Sequence, residues 1–125
     1  MLTPLSIPAA LTTVPGLEIC LTNLAPLLPM AATFAAWLDS DERAQVARLR
    51  PPEDQTRMIL RHGLRRLLLA RRLSCQPDHL RFACGPWQKP VVREPARGGL
   101  HFNTANSGDW FLMAMANNVE LEHIN

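Results

Sequence analysis

The sequence predicts an α+β fold, an antiparallel meander sheet packed against a long arginine-rich helix, and three observations carry that prediction. Apolar residues recur at helical spacing from about residue 52 to residue 74. From Leu80 onward the period switches to two. Turn-forming pairs, Gly85-Pro86 and Asn117-Asn118, punctuate the second half. At 125 residues the chain has room for one small domain. Residues 1–16, rich in Thr and Pro, read as an N-terminal arm, and 17–125 as a single lobe.

Taken in order, Leu17–Thr22 is short and β-prone, a first strand. A proline-bearing loop leads from it to a helix that starts near Asp39. Asp39 can cap that helix, and Glu42 stands three residues on, as a capping box requires. Pro51 and Pro52 end it near Arg50. A second helix begins at Pro52 or Glu53, with Glu53 and Asp54 at the positive end of its dipole, and runs to about Ser74. Leu60, Gly63, Leu64, Leu67 and Ala70 share one arc of it, the core face. Arg57, Arg61, Arg65 and Arg72 share a neighbouring arc of about 80°. Strands follow at Leu80–Cys84, Leu100–Asn103 and Trp110–Ala116. Residues 101–110 join two of these strands, and Val119–Ile124 pairs back as a hairpin.

Composition narrows the function classes. Apolar residues at 47% and charged residues at 19% describe a globular chain, and the prolines follow no period, which excludes collagen-like, coiled-coil and solenoid architectures. A net charge of +2 gives nucleic acid little to hold. Yet twelve of the thirteen basic residues are Arg, nine of them between Arg43 and Arg72. That cluster reads either as a solvated helix face or as an anion site, because guanidinium forks suit phosphate and carboxylate. Three cysteines without a C-x-x-C pair point to a reducing compartment. Cys75, His79 and Cys84 lack a fourth zinc ligand nearby. The uncharged stretch from Ile19 to Leu38 is broken by Asn23, Pro26 and Pro29, so a soluble, cytoplasmic protein without a membrane span is expected.

Three places could carry chemistry. Glu120 and Glu122 stand two apart on a strand, about 7 Å from each other on one face. They are either an exposed strand face or a carboxylate pair for Mg²⁺, which takes one or two carboxylates and completes its shell with water and phosphate. The stretch His101–Trp110 holds Asn103, Asn106 and Ser107, with Gly108 allowing close backbone approach. Lys89, the one lysine, is a point charge able to reach a phosphate.

The order of these features, E-D-x-x-R, then Q-K-P, then H-F-N-T-A-N-S-G-D-W, then N-V-E-L-E, resembles the 4'-phosphopantetheinyl transferases. The likeness is to the N-terminal half of the larger, two-lobed type that activates peptide and polyketide synthases, over residues ~35 to 125. It implies that coenzyme A lies between two α+β lobes with Mg²⁺ on its pyrophosphate. A carrier-protein serine then attacks the phosphate next to the pantetheine arm, releasing 3',5'-ADP. By position in the motifs, Glu120 and Glu122 would be metal ligands. Arg57, Lys89, Asn106 and Ser107 would meet the cofactor. Asn106 replaces the family's usual histidine, Ala105 its first serine, and Glu120 an aspartate. The second lobe, with a third metal carboxylate and a Lys-Glu pair, would have to come from another lobe or subunit, so a homo-oligomer or partner chain is expected. The alternative is a catalytically inactive relative serving as a protein-binding or assembly module.

Overall fold

The structure is a computed structural model and describes residues 12–14, 16–85, 87, 89–95 and 100–117. The fold is α+β, with an antiparallel sheet and one long helix. The chain divides into two compact units, one of Met1–Asn23 with Phe82–Asn125, the other of Leu24–Arg81.

The helical unit opens with a 3₁₀ turn, Ala25–Met30, that runs directly into α1 (Ala31–Trp37). Helix α2 (Ser40–Arg48) begins with the expected capping box. The Asp39 carboxylate accepts from the Glu42 N–H at 2.9 Å, and Glu42 accepts from the Asp39 N–H at 3.0 Å. Helix α3 (Pro52–Leu73) starts with proline in its first turn and stops at Ser74, which adopts a left-handed conformation with φ 55°.

The core stripe of α3 is as expected, with Leu60, Gly63, Leu64, Leu67 and Ala70 all buried. At Gly63 the helix meets α1 so closely that a Cβ would overlap the Phe34 side chain. Leu68, Leu69 and Leu73 are buried too, so the C-terminal half of α3 is covered nearly all round. Each such leucine contributes about 1.5–3 kcal/mol by leaving water. A second 3₁₀ turn, Pro77–His79, ends the unit.

The other unit holds a four-stranded antiparallel sheet in the order β1-β2-β6-β5, where β1 is Thr12–Val14, β2 Leu17–Asn23, β5 Leu100–Ser107 and β6 Trp110–Asn117. Strand β1 lies in the segment read as an arm and pairs with β2 across a turn at Gly16, whose φ of 82° suits glycine. Strands β3 (Arg81–Cys84) and β4 (Pro90–Glu94) form a separate two-stranded ladder. The polar stretch after Leu100, expected to be a linker, is strand through Ser107, and the turn shrinks to Gly108 and Asp109. Eight ladder pairs with β6, from Leu100↔Asn117 to Ser107↔Trp110, outweigh the weak strand propensity of Asn and Ser. One face carries Cys20, Thr22, Phe111, Met113 and Met115, all buried. No helix among the described residues is long and apolar enough to cross a membrane.

Candidate functional site

The helical unit contains an ionic cluster that the sequence reading missed. Arg66 is 0% exposed. Its Nε donates to Glu42 at 2.9 Å, and Nη1 donates to the carbonyls of Pro77 and Leu80 at 2.8 and 3.1 Å. Nη2 reaches Asp39 at 3.2 Å and Glu42 at 2.7 Å. Arg65 donates to the other Glu42 oxygen at 2.9 Å. The two carboxylates that cap α2 therefore also bind α3, and Arg66 ties in the Pro77–Leu80 turn. His62 lies 3.6 Å from Glu42. Burial first, then the Arg65 charge, push its pKa down to about 4 against the pull of Glu42, so the ring is neutral at pH 7. The arrangement fastens elements together, and one buried donor in it, the Arg65 Nε–H, has no hydrogen-bond partner among the described residues.

The cluster also sorts the arginine stripe. Arg65 is claimed by Glu42, and Arg57 bonds Asp54 at 3.3 Å. Arg61, between them, is half-buried. Burial above all, and then Arg57, lower its pKa, while Asp54 opposes them.

In the sheet unit, Lys89 stands just before β4, at a turn closed by the Gly85 N–H donating to the Lys89 carbonyl at 2.6 Å. Glycine is required there, since a Cβ at Gly85 would lie 2.7 Å from the Val91 side chain. Trp87, in the same turn, has φ 63° and is 90% exposed. Lys89 borders a groove of about 400 Å³ with Trp87, His101 and Asn103, floored by Leu17, Ala114 and Ala116. An apolar floor with a cationic, amide-bearing rim suits a ligand with an aliphatic arm and an anionic end. By contrast, the hollow of about 550 Å³ in the helical unit is walled mainly by Ala32, Ala35, Ala36, Val46 and Ala47, with Arg43 its one charged liner.

Asn106 and Ser107 do not line the groove; both are exposed at the far end of β5. Strand alternation separates them. Asn106 pairs with Phe111 and shares its face with Phe102 and Thr104, whereas Ser107 pairs with Trp110 and shares its face with His101 and Asn103. Arg57 lies in the helical unit, and Lys89, Asn106 and Ser107 in the sheet unit. Glu120, Glu122 and the hairpin strand expected at Val119–Ile124 fall outside the described residues.

No protein-family model matches the chain. Over 107 residues, 86% of its length, it is 35% identical to a Synechocystis sp. protein provisionally named a 4'-phosphopantetheinyl transferase. The chain spans 42% of that relative's length.

Proposed function

We propose that this chain is one lobe of a 4'-phosphopantetheinyl transferase-like protein. In this reading it binds coenzyme A and, completed by a second lobe or subunit, passes phosphopantetheine to a carrier-protein serine. The observation that carries the reading is the 35% identity over 86% of the chain. An α+β architecture with an antiparallel sheet and a long helix is in keeping with one lobe of such an enzyme.

Lys89 would meet a phosphate of the coenzyme, and the apolar groove beside it would take part of the pantetheine arm. Arg57 would add a second cation, already oriented by Asp54. Glu120 and Glu122 would hold Mg²⁺, whose contribution is to neutralise charge on a diphosphate. Their assignment rests on the motif. Because Asn106 and Ser107 project from opposite faces of β5, their side chains serve two different surroundings. Ser107, on the face of His101 and Asn103, is the better placed for the groove's ligand.

That separation, with Asn106 and Ala105 standing where the family carries His and Ser, favours a second reading: a relative that keeps the fold for protein binding without catalysis. Calorimetry and a transfer assay decide between them. The first reading expects saturable coenzyme A binding that strengthens with Mg²⁺ and weakens in Glu122→Gln. No heat at millimolar coenzyme A would overturn it. Incorporation of labelled phosphopantetheine into an apo carrier protein by the isolated chain would overturn the second.

A further inference from the structure

The four-stranded sheet is largely apolar on both faces. One face carries the buried Cys20, Thr22, Phe111, Met113 and Met115. The other carries Leu17, Ile19 and Leu21 on β2 and Trp110, Leu112, Ala114 and Ala116 on β6. Trp110 is 51% exposed there and Leu112 37%. A sheet with one face in water alternates apolar with polar residues along each strand, and a sheet covered on both faces does not. We infer that a second copy of this chain covers the open face, each copy seating its Trp110 in the groove beside the other's Lys89.

Both the charge and the shape of the face fit a copy of itself. No position of β2, β5 or β6 on this face holds Asp, Glu, Lys or Arg, so two copies meet without like-charge repulsion. Knob and hollow lie on one strand. Trp110 opens β6, and Ala114, one full turn of the pleat further along, floors the groove of about 400 Å³. A two-fold axis crossing β6 at Leu112 brings each Trp110 over the other copy's Ala114 and sets the two Leu112 side chains together. An isologous contact of this kind uses one patch twice and closes at two copies. The groove is of ligand-pocket size, and an indole desolvated in a pocket is a common anchor of such contacts. Three strands about 4.8 Å apart, each running about seven residues, give a flat footprint of about 300 Å². A standard interface takes about 800 Å² from each partner, so this dimer is a weak one, with a dissociation constant in the micromolar range. Self-association does not rest on the coenzyme reading; the indole and the pantetheine arm compete for one groove.

Sedimentation velocity of the full chain from about 1 to about 200 µM reads the dimer, with circular dichroism confirming that each variant is folded. Wild-type protein is expected to pass from monomer to dimer across that range. Trp110→Ala should weaken the dimer about thirtyfold, as loss of a central tryptophan anchor does. Leu112→Arg, which sets two cations against each other across the axis, should abolish it. Leu28→Ala, at a leucine of the helical unit that is 57% exposed, should match the wild type. A wild-type monomer at every concentration overturns the inference and leaves the face to a different partner. A dimer unaltered by Trp110→Ala overturns it too, as does an equal loss in Leu28→Ala, which would reveal unspecific apolar association. Calorimetry and sedimentation with coenzyme A separate the two claims. A dimer that coenzyme A disperses supports both. A dimer without coenzyme A binding upholds self-association and sinks the coenzyme reading, and coenzyme A binding to a chain that never associates does the reverse. Coenzyme A bound to an intact dimer overturns the seat of Trp110 in the groove.

Discussion

The two units use polar side chains in opposite ways. In the helical unit charges are drawn inward, where Asp39 and Glu42 bind Arg65 and Arg66. In the sheet unit the polar groups of β5 face outward, with Asn103, Thr104, Asn106 and Ser107 all exposed. Charge in the first serves architecture. Polarity in the second stays open to a ligand, and the folded core does not depend on it.

Removing one partner from the buried cluster is the severest test of that contrast. Glu42→Ala removes the carboxylate that two buried guanidinium groups share and should destabilise the protein by about 3–5 kcal/mol, read from urea unfolding. A loss below about 1 kcal/mol would mean that solvent replaces the carboxylate.

Acid offers a gentler lever on the same unit. The folded pKa of His62 lies below its unfolded value near 6.5. The unfolded chain therefore binds more protons between about pH 6.5 and pH 4, and the stabilisation present at pH 7 fades as pH falls through that window. With the folded value at about 4, this amounts to about 2 kcal/mol between pH 7 and pH 5. His62→Gln should flatten this part of the pH profile, and an unchanged slope would assign it to other groups.

The smallest effect belongs to the sheet. Asn106→Ala and Ser107→Ala, both at exposed positions, should each shift stability by less than about 0.5 kcal/mol. A large loss from either would show that β5 relies on its polar side chains as the helices rely on theirs.

Particular residues show how far the sequence could be read. The Asp39–Glu42 capping box and the Leu60–Ala70 stripe were legible because cap and stripe are repeats within a few residues. Strand β4 was not, since Pro90 heads it and Lys89 precedes it, a combination that reads as loop. Strand β5 was read four residues too short, because Thr104–Ser107 have weak strand propensity and extend only through pairing with β6. Of the proposed site, Lys89 stands out as the one lysine, and Arg57 only by its place in the E-D-x-x-R motif.

What the sequence determined alone was local: where helices begin and stop, which arc of α3 is apolar, and where the period changes from 3.6 to two. The tertiary structure decided which charges are used up. Arg66 lies about 40° from Ala70 around the helix, so the period brings it to the margin of the core arc but does not say what would neutralise its charge there. Its partner Asp39 is 27 residues away in the chain. Local repeats arise from backbone geometry, which a short window of sequence contains. The choice of a counterion depends on which distant segments meet, and that is settled only when the helices pack.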